Sequence, residues 1–143
     1  MEILGLSRRR LAGFTLIELM ITIAVVAVLT TIAVSTYQSS VRKGNRRAAQ
    51  AVMMDVNTVQ QQYYMANRGY ATWANLGYTL PTEVAANYET PVIELGQSLD
   101  STCTVVASTV PSFVVTFSPK GRMLEDGTLW LGSDGRRCPA DKW

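Results

Sequence analysis

An α+β fold is predicted for this 143-residue chain: a long N-terminal helix packed on a small antiparallel β-sheet, closed by a C-terminal disulfide-bounded region. Three features predict it. Phe14 to Val34 is an apolar run holding a single charge, Glu18. Val41, Ala48, Val52, Val56, Val59 and Tyr63 then recur on one helical face. Finally, three short segments rich in β-branched and aromatic residues lie between two cysteines, Cys103 and Cys138, or begin at the first of them.

The first element follows from length and composition. From Leu19 to Val34 there is no charge, Gly or Pro. Counted from Phe14 the run covers about 31 Å as a helix, enough to span a bilayer core. Threonines at 15, 22, 30 and 31 are compatible with it, because their hydroxyls can bond to carbonyls one turn back. A secretory signal peptide, with small residues Ala33 and Ser35 at its cleavage site, is the competing reading. The run is longer than such segments, and a carboxylate stands near its start. A carboxylate in hydrocarbon costs several kcal/mol unless neutralised, so Glu18 is a candidate functional residue.

The second element continues the first. Only Gly44 interrupts a helix from Phe14 to about Ala66, with Gln50, Asp55, Asn57, Gln60 and Gln61 placed largely off its apolar face. Asn67 to Pro91 has turn punctuation and no sustained period. It is expected as a connecting region pinned to the domain by Tyr70, Trp73, Tyr78 and Tyr88. Strands are expected at Cys103 to Ser108, Ser112 to Ser118 and Gly127 to Gly132, with a weaker fourth near Ile93. Turns fall at Pro111, "SPKGR" and "SDGR".

Composition narrows the function. The chain has no histidine, which removes the commonest general base and metal ligand. Asp126, Asp134 and Asp141 read as turn formers, and "DSTC" and "EDGT" offer too few oxygen ligands for calcium. No catalytic residue, metal or cofactor is expected. The two cysteines are too few for zinc and too far apart for a CxxC motif. A structural disulfide between Cys103 and Cys138 implies an oxidising compartment, the alternative being two buried thiols in the cytosol. Arg8, Arg9, Arg10 and Glu2 precede Phe14, and the remainder carries ten basic and ten acidic side chains. That balance argues against a generally basic nucleic-acid binder. Even so, Lys120, Arg122, Arg136, Arg137 and Lys142 crowd the last quarter, with Trp130 or Trp143 available to stack.

"GFTLIELM", Gly13 to Met20, behind a short basic leader, resembles the cleavage and methylation motif of type IV prepilins, and the likeness continues through "ITIAVVAVLTTIAVSTYQSSVRKGNR". The type IVa pilins, with short leaders and a phenylalanine at the new N-terminus, fit best. "AVMMDVNTVQQQYYMANRGYAT" resembles the helix-to-loop transition of minor pilins of the PilE and ComP group. The resemblance implies a pilin fold and three segments: a prepilin leader at 1–13, a transmembrane and assembly helix at 14–36, and a globular domain at 37–143 outside the cytoplasm. It implies that a prepilin peptidase cuts between Gly13 and Phe14, and that Phe14 is then N-methylated. Glu18 would meet the N-terminal amine of a neighbouring subunit during assembly. Ala27 and Ser35 stand where many pilins have Gly and Pro, so the helix should resist local melting.

The chain is thus expected as a structural subunit of a type IV pilus, a minor pilin serving assembly, twitching motility, adhesion or DNA uptake. Its partners would be other pilins, the peptidase, the inner membrane, the assembly platform and DNA. It would be single-pass in the inner membrane, C-terminus outside, before joining the extracellular pilus. A major pilin, a DNA-binding competence pilin contacting DNA through the five basic residues above, and a type II secretion pseudopilin are the alternatives.

Overall fold

A computed structural model describes residues 14–143, so the expected leader and Gly13 lie outside the described residues. Two compact units divide at Ser39 and Ser40. Helix α1, Leu16–Asn67, contributes to both.

In the first unit, Phe14 to Gln38 is exposed at every position, large apolar side chains included. This helix is long and apolar enough to cross a membrane. Three of the four threonines behave as expected, Thr22 donating to Leu19 O, Thr30 to Val26 O and Thr31 to Val28 O, each at 2.7 Å, while Thr15 has another role. Each hydroxyl is satisfied by its own helix, which removes the cost of placing it in an apolar surround. The N–H of Glu18 donates to Thr15 Oγ1 at 3.2 Å. Thr15 and Glu18 stand at the N-cap and third helical positions, the spacing of a capping box. Glu18 therefore also favours the helix N-terminus through the dipole.

In the second unit, Ala49, Val52, Met53, Val56 and Gln60 of α1 are buried. They face a four-stranded antiparallel sheet of order β1-β4-β5-β6, built from β1 (Val92–Leu95), β4 (Phe113–Phe117), β5 (Leu129–Gly132) and β6 (Arg137–Cys138). Alternation divides the sheet's two faces. Ile93, Phe113, Val115, Phe117, Leu129 and Leu131 join the α1 side chains in the main core. Val114 and Trp130 point the other way, packing with Leu99, Val105 and the disulfide. Both faces of β4 are covered, which is why "FVVTF" is apolar at every position but Thr116 rather than alternating.

The strand near Ile93 exists, paired Ile93 to Val115. Two departures concern the other strands. The expected segment from Cys103 to Ser108 is not in this sheet: its core, β3 (Val105–Ala107), pairs with β2 (Gln97–Leu99) in a separate ribbon. The cause is Gly96, at φ +68 between β1 and β2, a backbone region that favours glycine. There the strand bends, and its opposing chain bulges out between Ser108 and Ser112. Secondly, "SPKGR" leads into a 3₁₀ turn, Gly121–Asp126, rather than a tight link.

Helix α1 stops at Arg68, which takes φ +56 and donates its N–H to Tyr64 O at 2.8 Å, a left-handed cap. The connecting region holds two one-turn helices, α2 (Trp73–Leu76) and α3 (Thr82–Ala85). Aromatics pin it: Tyr70 stacks on Tyr64 and meets Phe113 edge-on, and Tyr88 packs on Phe117. Gln60 corrects the sequence reading that set it off the packed face, being wholly buried. Its side-chain oxygen accepts from Ala71 N at 2.9 Å and its amide donates to Ala71 O. A buried amide is tolerated there because it satisfies both polar groups of a loop residue that would otherwise be buried unpaired.

Candidate nucleic-acid interface

The basic residues of the last quarter are arranged by α1. Four side chains at spacing four along that helix each hold a C-terminal segment. Arg42 pairs with Glu125 at 2.6 Å and Arg46 with Asp126 at 2.7 Å, fixing the 3₁₀ turn. Gln50 donates to Lys142 O at 2.7 Å. Met54 Sδ lies 3.9 Å from Arg137 Nη2. Residues four apart share a helix face, so these contacts form one stripe about 18 Å long. The Arg46–Asp126 pair is largely shielded from water, whereas Glu125 is mostly exposed and its pair contributes little.

Arg137 and Trp143 come together. The guanidinium lies 5.4 Å from the indole centroid, and the indole N–H donates to Cys138 O at 3.3 Å. This orients a cation over a fixed aromatic face. Lys142 is the neighbour in sequence, and its Nζ approaches Gly127. Arg136 takes a different surround, 3.6 Å from Asp134, whose Oδ1 accepts the Arg136 N–H at 3.0 Å. A side chain at Gly132 would displace that carboxylate. Of the two candidate tryptophans, Trp130 packs in the small core and Trp143 carries the stack. Lys120 and Arg122 stand at the 3₁₀ turn, whereas Arg136 precedes β6 and Arg137 is its first residue.

The Cys103–Cys138 disulfide is formed, S–S 2.03 Å, and joins the ribbon side of the molecule to β6. Cys103 sits in a tight turn at φ +63, next to Asp100. Asp100 accepts the N–H groups of Thr102 and Thr104 at 2.8 and 2.9 Å. Its carboxyl is held below the usual aspartate range, chiefly by the Thr104 N–H, then by the Thr102 hydroxyl, with the Arg136 charge a lesser cause. Two tyrosines are shifted the other way. Tyr88 is pushed up to about 12 by burial and then by the Asp126 charge. Tyr78 is also pushed up to about 12, by burial and by its 2.6 Å bond to Asp55.

Among the described residues no cluster of acidic, histidine or cysteine side chains could hold a metal ion. Glu18 is placed in the first turn of α1 with Phe14 ahead of it, both exposed. Sequence reasoning did not assign the stripe on α1, although Arg42, Arg46, Gln50 and Met54 at intervals of four were its signal. Thr15 was likewise legible, as the start of "TLIE".

Residues 35–130 match a family described as "Type IV minor pilin ComP, DNA uptake sequence receptor". The chain belongs to that family. Residues 8–34 match the prokaryotic N-terminal methylation motif. Neither a curated protein nor a solved structure matches the chain. This type IV minor pilin is therefore a structural subunit whose partners are other pilins, with an apolar helix suited to membrane anchoring before assembly into an extracellular pilus.

Proposed function

We propose that this pilin captures DNA at the pilus surface, contacting it through Arg136, Arg137 and Lys142 beside Trp143. The observation that carries the reading is the family match over residues 35–130, whose description is that of a DNA uptake sequence receptor. The Arg137–Trp143 stack supports it, since a pre-oriented guanidinium loses little freedom on meeting a phosphate. Balanced charge elsewhere fits a local interface. Lys120 and Arg122 would contribute only longer-range attraction. The Ser40–Trp143 unit, which has its own core, is the material for the test. Three phosphate contacts should weaken duplex binding about 40-fold between 50 and 200 mM salt. Arg137→Ala should flatten that slope by about one unit. Equal competition by duplexes of every sequence would remove the receptor role and leave nonspecific binding.

The N-terminus completes the reading. A prepilin peptidase would cut between Gly13 and Phe14, freeing a Phe14 amine for methylation. Gly13→Val should leave the leader attached, read by mass of the N-terminal peptide. Residues 14–36 would cross the inner membrane, with 37–143 outside the cytoplasm, and an assembly platform would draw the subunit into the filament. There Glu18 would pair with a neighbouring subunit's N-terminal amine. Structural subunits of this family carry no catalysis, and the histidine-free composition supports the same role here.

A further inference from the structure

The 3₁₀ turn Gly121–Asp126 is held against α1 by three contacts. Two are the Arg42–Glu125 and Arg46–Asp126 pairs, and in the third Asn45 Nδ2 lies 3.9 Å from Met123 Sδ. Both acids of the turn are consumed in those pairs. Lys43 and Arg47, one residue round the helix from the two arginines that hold the turn, are exposed, as is Arg122. None of the three enters an ion pair among the described residues. Between the buried Met123 and Glu125 stands Leu124, 65% exposed. Leu124 and Arg122 are thus exposed on the turn, and Lys43 and Arg47 stand at the same level of α1 but round the helix from it, so an apolar tip and unpaired cations ring one level of the molecule.

Its chain position points to what covers it. The apolar run ends at Val34, eight residues before Arg42. Whatever path those residues take, they reach at most about 28 Å. A bilayer holding the run therefore keeps its headgroups within a short tether of this surface, and tethering raises effective concentration steeply.

We infer that Lys43, Arg47, Arg122 and Leu124 form a collar that docks on anionic phospholipid headgroups while the subunit is still in the membrane. Each lysine or arginine near an anionic surface raises affinity about fivefold. Leucine at the boundary between headgroups and acyl chains gains from burial, whereas against a DNA phosphate backbone it gains nothing. The collar shares no residue with Arg136, Arg137 and Lys142 proposed for DNA, although Lys142 Nζ approaches Gly127 at its edge, and it gives the unassembled subunit a resting orientation that extraction into a filament must break.

The test is hydrogen exchange on the full chain in nanodiscs, of phosphatidylcholine alone or with one third phosphatidylglycerol. Amides of Gly121–Gly127 should exchange at least fivefold more slowly in the anionic discs. The difference should vanish in the triple variant Lys43→Gln, Arg47→Gln, Arg122→Gln, and shrink in Leu124→Ser. Amides of Phe113–Phe117 report in the same spectra that each variant is folded, and the wild-type comparison needs no variant. Equal rates in both discs overturn the collar. So does slowing that survives the triple variant, or protection of these amides by added duplex DNA in phosphatidylcholine discs with no effect of lipid charge. A chain that enters neither disc overturns the anchoring on which the collar rests, leaving the DNA reading untouched.

Discussion

One helix obeys two rules. In its first half, Phe14, Leu16 and Ile17 are 81%, 77% and 68% exposed, although nearly every side chain there is apolar. In its second half the composition is more polar, yet Ala49, Met53 and Val56 are wholly buried. Hydrophobicity alone therefore does not make a core; a partner surface at the right spacing does. The second half finds that surface in its own chain. Among the described residues the first half has none there, and its apolar area is available to lipid and to other subunits.

The sharpest way to break this comparison is Glu18→Ala. Because Glu18 contributes to no core, domain stability should be unchanged while incorporation into sheared filaments falls by an order of magnitude or more. Incorporation at the wild-type level would remove the proposed pairing with a neighbour's amine. In the globular unit that receives the second half, the largest effect should come from Cys103→Ser. The disulfide closes 35 residues, and the chain-entropy model assigns about 4 kcal/mol to that closure. Urea unfolding of the globular unit should report it.

Gln60→Leu should cost about 3 kcal/mol, because Ala71 would keep a buried N–H and C=O with no partner. A loss below about 1 kcal/mol would mean that the loop reorganises instead. High pH tests the same core. Tyr88 titrates near 12 when folded against 10 when exposed, so its stabilising effect is complete below pH 10 and is lost as pH rises towards 12. The expected loss is on the order of 2 kcal/mol, followed by tyrosinate absorbance in parallel with circular dichroism. The smallest effect is favourable: Arg68→Gly should stabilise by about 0.5 to 1 kcal/mol, relieving the left-handed cap at φ +56.

What the sequence made legible followed from strong, local signals. The bilayer-length run and the core strands follow from residue type within short windows, and the cysteine pairing from the chain having two cysteines. Strands β2 and β6 were not legible, since "QSL" and "RC" have little strand propensity; β2 follows the bend at Gly96, and β6 is brought beside β5 by the turn from Gly132 to Arg136. Gln60 was misread because a polar side chain looks solvated until the loop it serves is known. The basic residues were found by count, but only the α1 stripe separates Arg137 from Arg122. That separation depends on contacts 80 and 83 residues apart in sequence.

The bond between Cys103 and Cys138 also makes a covalent ring, with β4, the 3₁₀ turn and β5 as its circumference. A single protease cut anywhere on that circumference, for instance after the exposed Arg122, opens the ring without releasing a fragment. The piece carrying Cys138 stays bound through the disulfide to the piece that carries Cys103 and is continuous with α1. A fibre working outside the cell could thus be nicked at its surface and still keep every piece.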